Sequence, residues 1–205
     1  MNGMRTFSKL GLLTLFFAVF ALTGCNPDDD VPEEENELEV ITDVKLIFTN
    51  VANASDVVEA RAQDPDGEGV QELAVLDEIT LDVNKTYTLS YEIFNNLETP
   101  GEDIGAEVSE EADEHQIFYS FTDGAFADPT GDGNIDNAAD GVNYDDFDSQ
   151  NRPVGLQTTW TTSATQLSGG FFTTRLQHQP DVKTTTSDAN TGDTDFSIQF
   201  VLNIQ

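Results

Sequence analysis

The sequence predicts an all-β fold, an antiparallel β-sandwich, and three observations carry that expectation. Apolar and polar residues alternate in about eight separate segments, turn-forming residues divide the segments, and helical periodicity is scarce.

The elements follow in order. Val40–Val51 alternates loosely and sets Val44, Leu46 and Phe48 on one face. Val57–Ala62 is a weaker strand, closed by the acidic turn Asp64-Pro65-Asp66-Gly67-Glu68-Gly69, whose Pro-Asp-Gly core is ordinary turn chemistry that could also offer acids to a metal. Ile79–Val83 precedes Thr86–Phe94, where Tyr87, Leu89, Tyr91 and Ile93 share a face while Thr86, Thr88, Ser90 and Glu92 point away. Glu102–Glu114 spaces Ile104, Val108 and Ala112 by four, with acids at its start; Gly105 leaves a short helix and an ordered loop both open. Gln116–Phe121, Val154–Thr161 and Phe171–Gln177 continue the strands. The last segment is the clearest, with Phe196, Ile198, Phe200, Leu202 and Ile204 alternating with polar or outward residues. Residues 40–205 are long enough for one domain with its own core. An immunoglobulin-like sandwich fits this series, and a closed lipocalin-type β-barrel is the alternative.

Residues 1–24 stand outside that domain. Arg5 and Lys9 precede Leu10–Leu22, an uncharged and mainly apolar run of about 13 residues. That length suits a signal-peptide core and falls short of the roughly 20 residues a bilayer-spanning helix needs. Leu22-Thr23-Gly24-Cys25 resembles the bacterial lipobox. The resemblance implies cleavage before Cys25, a diacylglyceryl group on its thiol, and a lipid anchor to the membrane. Cys25 is the only cysteine, so no disulfide can form within the chain.

From Asn26 to Glu39 the chain is mostly acid and proline, a composition that cannot bury apolar surface and repels itself. It reads as an extended, disordered tether with a reach of roughly 45 Å. Acids directly after a lipidated cysteine resemble the export signal of Bacteroidota-type surface lipoproteins. That implies the cell surface of the outer membrane, with the periplasmic leaflet as the alternative.

Removing residues 1–24 removes two basic residues and no acid, which takes the formal charge from −31 to −33. Nucleic acid is excluded as a partner, because phosphate contacts need a lysine and arginine footprint. Anionic membrane surfaces also repel such a chain, so lipid and not charge must hold it there.

The strongest ligand pattern is Asp128-Pro129-Thr130-Gly131-Asp132-Gly133-Asn134-Ile135-Asp136, which follows the first nine places of an EF-hand calcium loop. Alternate residues of a tight turn can aim oxygens at one point, so Asp128, Asp132, Asn134, Asp136 and Asp140 are candidate Ca²⁺ ligands, with Asp145 or Asp146 as other closing groups. Threonine at place 3, Ala139 at place 12 and the missing flanking helices depart from the pattern; an acidic, glycine-rich loop without an ion is the other reading. His115, just before one strand, and His178, at the end of another, are the only histidines. If those strand ends meet, two imidazoles and a carboxylate could bind a transition metal; otherwise they are ordinary hydrogen-bonded or surface histidines.

No catalytic motif is present: no His-Glu-x-x-His, no Gly-x-Ser-x-Gly, no phosphate loop. Neighbouring acids such as Asp77 and Glu78, or Glu110 and Glu111, do not stand out from the acidic background as a glycosidase pair. Trp160 and Tyr91 fit a core more readily than a sugar platform.

Three segments, Asp113-Glu114-His115-Gln116-Ile117-Phe118-Tyr119, Leu176-Gln177-His178-Gln179-Pro180 and Thr194-Asp195-Phe196-Ser197-Ile198-Gln199-Phe200, resemble secreted lipoproteins of Bacteroidota, compact β-domains behind a lipobox. That group implies no particular activity, ligand or catalytic residue, and the Asp128–Asp148 stretch looks longer here than in its pattern. The expected function is therefore a non-catalytic surface module that binds a glycan or a protein, or plays a structural part. A β-barrel carrier of a small apolar ligand and a polysaccharide-acting hydrolase are the alternatives.

Overall fold

A computed structural model describes residues 39–64, 73–97, 99–137 and 141–205. The signal segment, Cys25, the tether through residue 38, the acidic turn after Asp64 and Asp140 lie outside the described residues. The described residues belong to one compact unit. Among the described residues, no helix is long and apolar enough to cross a membrane.

The domain is all-β with one short helix, and its strands form two sheets. In chain order the elements are β1 (Asp43–Asn50), β2 (Val57–Gln63), β3 (Ala74–Val75), β4 (Ile79–Leu81), β5 (Thr86–Phe94), α1 (Ile104–Glu110), β6 (His115–Phe121), β7 (Phe126–Asp128), β8 (Asn143–Tyr144), β9 (Gln157–Thr162), β10 (Leu167–His178) and β11 (Asp193–Ile204). The first sheet runs β3-β2-β1-β5-β9-β7, with β8 also paired to β9; the second runs β4-β11-β10-β6. Every pairing is antiparallel except β4 on β11.

The expected alternation decides which faces meet. Val44, Leu46 and Phe48 of β1, Tyr87, Leu89 and Ile93 of β5, and Phe196 to Ile204 at every second position of β11 are all buried. Trp160 of β9 ties the sheets together. Its ring lies 5.2 Å from Tyr119, 5.4 Å from Phe121 and 5.1 Å from Phe172, all on the opposite sheet. Such edge-to-face pairs add about 0.5–1.5 kcal/mol each beyond buried area. The barrel alternative is thereby corrected: the strands lie in two sheets that do not close on one another, and aromatic rings occupy the space between them.

Glu102–Glu114 resolves into α1. The Asp103 side chain accepts from the Ala106 N–H at 3.1 Å and caps the first turn, while Ile104 and Val108 enter the core. Burying such side chains is worth about 1.5–3 kcal/mol apiece, which outweighs the weak propensity of a seven-residue helix. β3, β7 and β8 were not expected; at two or three residues each they are too short to show a period. Val154–Leu156, expected as strand, is extended loop tied to β6 through Ile117 N–H and the Val154 carbonyl at 2.6 Å.

Candidate functional site

Antiparallel pairing of β6 and β10 sets His115 directly opposite His178. Opposed residues in a ladder project from the same face, and the two imidazoles stack with centroids 4.5 Å apart and planes 4° from parallel. His115 is fully buried and His178 is 6% exposed. The strand ends therefore do meet, and the face that His178 shares with Phe172, Thr174 and Leu176 is buried throughout.

A bulge in β11 brings the next group. Leu176 pairs with Phe196 but Gln177 pairs with Thr194, which leaves Asp195 as an extra residue. Bulges re-aim side chains, and here the consecutive residues Asp195 and Phe196 are both buried. Asp195 Oδ2 lies 3.8 Å from His115 Nε2. Its Oδ1 accepts from the Glu39 N–H at 3.4 Å, where the chain enters the domain. The turn after α1 supplies two more carboxylates: Glu111 Oε2 is 4.0 Å from His115 Nδ1, and Glu114 Oε2 is 3.5 Å from His178 Nε2.

A buried ionic frame holds that turn. The Lys183 ammonium donates to the Ala112 carbonyl at 2.7 Å and the His115 carbonyl at 2.8 Å, and pairs with Asp148 at 3.1 Å. Arg152 donates to Asp148 Oδ2 at 2.6 Å and to the Asp113 carbonyl at 3.0 Å, and also reaches the Lys183 carbonyl. Burial lowers the Lys183 pKa, and hydrogen bonds from Arg152 and Lys183 keep the buried Asp148 carboxyl below the usual carboxylate range.

Burial dominates the electrostatics of the pair itself. It pushes His115 down to about 4, with His178 adding to the effect, so that His115 is neutral near pH 7. It also raises Asp195 to about 7. His115 Nε2, both ring nitrogens of His178 and Asp195 Oδ2 are buried without a hydrogen-bond partner. Each such group costs about 1–3 kcal/mol unless a water, an ion or another partner meets it. One nitrogen from each imidazole and one Glu111 oxygen lie within 4.8 Å of one another.

The acidic loop behaves otherwise. Asp128, Asp132 and Asp136 are exposed, whereas Asn134 is buried. Its carboxamide oxygen accepts from the Tyr119 N–H at 2.8 Å, and its amide donates to the Tyr144 hydroxyl. The Asp132 carbonyl accepts from Phe121 N–H at 2.9 Å and the Asn134 N–H donates to the Tyr119 carbonyl at 3.0 Å, so this stretch lies along β6. Asn134 thus serves as a structural amide, its buried carboxamide pairing with strand backbone left open by β6. Of the other closing groups, Asp145 accepts from Thr159 and Asp146 from the Gly155 and Leu156 N–H groups.

Trp160 belongs to the core, its indole N–H donating to Thr158 at 2.7 Å. The Tyr91 hydroxyl bonds Tyr119 and Thr174 between the sheets. Asp77 pairs with Arg61 at 2.7 Å, and Glu78 accepts from Asn203. Sequence reasoning missed Asp195, because a bulge leaves no mark in the alternation. Lys183 and Arg152 were missed too, although in a chain with 8 basic and 39 acidic residues the scarcity of base points to them. Comparison with protein-family models, curated proteins and solved structures finds no match.

Proposed function

We propose that the chain is a membrane-anchored, non-catalytic lipoprotein of the secreted and surface type found in Bacteroidota, and that its sandwich is a binding module. The observation that carries this is the placing of its unmet polar capacity. Aromatic rings fill the space between the sheets, while unpartnered buried polar atoms gather around His115, His178 and Asp195 at one end. Recognition belongs at that end, with a glycan or protein as the larger partner. Among the described residues the two sheets do not close into a barrel, which speaks against the apolar-carrier alternative. The strand order supports an immunoglobulin-like version of the sandwich: β1-β5-β9-β7 matches a four-strand sheet and β11-β10-β6 a three-strand sheet, with β2 and β3 extending the first.

The lipobox match supports acylation of Cys25 and anchoring in the outer membrane, facing the cell surface. Metabolic labelling with an alkyne palmitate, followed by fractionation, tests this. Wild type carries label in the outer-membrane fraction and is cleaved by protease added to intact cells; Cys25→Ala carries none. Label that survives Cys25→Ala removes the anchor, and protection in intact cells moves the module to the periplasmic leaflet.

A further inference from the structure

We propose that Glu111, His115 and His178 form a binding site for a divalent first-row transition ion, Zn²⁺ being the probe of choice. The proposal deepens the binding-module function by naming the ligand of its polar end, and it rests on that reading.

The donor set comes first. Two neutral imidazoles and a carboxylate are the ligand types that zinc takes, with a fourth place left for water or a partner's donor. They suit Cu²⁺ and Ni²⁺ as well, and they are poor for Ca²⁺ or Mg²⁺, which require oxygens. Among the described residues this is the group of His, Cys, Asp or Glu whose ligand atoms converge within 4.8 Å.

The unfilled contacts point the same way. Glu111, Asp195 and Glu114 stand 4.0, 3.8 and 3.5 Å from the imidazole nitrogens, too far for direct hydrogen bonds and close enough for a bridging species. Of the four ring nitrogens His115 Nδ1 alone has a hydrogen bond, to the Glu111 carbonyl at 3.3 Å; the other three are buried without a partner, a cost that a bound ion would offset. The outer groups are also placed as a metal site needs. An ion on the Nδ1 side of His115, facing Glu111, takes the place of the hydrogen bond of 3.3 Å that Nδ1 makes to the Glu111 carbonyl, and the ring proton then sits on Nε2, on the side of the Asp195 carboxylate. A ligating histidine held by a carboxylate through its other nitrogen is the arrangement that fixes tautomer and ring orientation. Glu114 can serve the Nε2 of His178 in the same way. Asp195 and Glu114 are thus positioning residues.

The site is assembled but not closed. Tetrahedral zinc at about 2.0–2.1 Å from each nitrogen puts its ligand atoms roughly 3.3 Å apart, so donors spread over 4.8 Å must draw together. Glu111 is half exposed and can swing inward; the rings must leave their parallel stack so that their lone pairs converge. Lys183 holds the His115 carbonyl, so the backbone stays in place while the rings turn.

The test uses the full-length Cys25→Ala chain without a polyhistidine tag, so that metal binding is read independently of the anchor. Calorimetric titration with Zn²⁺ in millimolar Ca²⁺, which occupies the surface acids, gives one tight site per chain. Electron paramagnetic resonance of the Cu²⁺ form shows two coupled nitrogens. His178→Gln loses the site, and Glu111→Gln, on an exposed side chain that the fold does not need, weakens it at least about tenfold. Zn²⁺ held equally by wild type and both variants assigns the ion to the acidic surface and overturns the proposal. So does a crystal grown with Zn²⁺ in which ordered water alone sits between the donors. Failure of palmitate labelling, by contrast, removes the anchor and leaves this result standing.

Discussion

His178 lies straight across the β6–β10 ladder from His115, and the two buried rings stack at 4.5 Å with no hydrogen bond to either nitrogen of His178. A pair kept for stability would have all its nitrogens bonded, whereas here His115 Nδ1 alone reaches a partner, the Glu111 carbonyl at 3.3 Å. His178→Phe keeps the stack and removes two unsatisfied atoms, so the metal-free variant should match wild type within about 1 kcal/mol or exceed it. Urea unfolding measures this. A loss beyond about 2 kcal/mol would mean that the imidazole supports the fold.

Lys183 is the opposite case. Its ammonium is fully buried and satisfies Asp148 and two backbone carbonyls. Lys183→Met fills similar volume but strands the Asp148 charge beside Arg152 alone. Removing one partner of a buried pair costs about 3–5 kcal/mol, and the chain should unfold at correspondingly lower urea. A change within experimental error would show that Arg152 suffices.

Asp148 also gives the domain an acid limit. Its pKa in the folded state lies below the usual carboxylate value, through hydrogen bonds from Arg152 and Lys183 that offset its burial. A group depressed on folding contributes stability that is complete above its unfolded pKa and fades as pH falls through the folded one. Stability attributable to Asp148 is therefore constant near neutrality and declines below about pH 4. Asp148→Asn should be less stable than wild type at pH 7, with the gap narrowing toward pH 3. A gap that widens in acid reverses the sign and defeats the assignment.

Asn134 carries a prediction about calcium. Its carboxamide substitutes for a strand partner of Tyr119, so Asn134→Ala should cost about 1–3 kcal/mol. Thermal unfolding should show the same loss in EDTA and in Ca²⁺. If EDTA alone reproduces the loss in wild type, the amide acts through an ion after all.

Much of the architecture was legible along the chain. Thr86–Phe94 and the alternation after Phe196 are long enough for a period of two to declare the inward face, and their buried sets are the expected ones save that Tyr91 is only partly buried. Trp160 in an alternating strand read as core and is core. The Asp128–Asp136 loop matched a calcium spacing, but spacing does not say which way Asn134 turns. That choice depends on β6, whose open backbone groups lie beside it only in the folded chain.

By itself the sequence determined most of the strand content and the in-and-out pattern of the longer strands, because periodicity is a local property. It also placed both histidines at strand ends. Only the tertiary structure decided that these ends are neighbours, that a bulge turns Asp195 inward, and that Lys183 pins the turn carrying Glu111 and Glu114. Register between segments some sixty residues apart, and one extra residue in a ladder, are settled by how two sheets pack. No stretch of either strand contains that information alone.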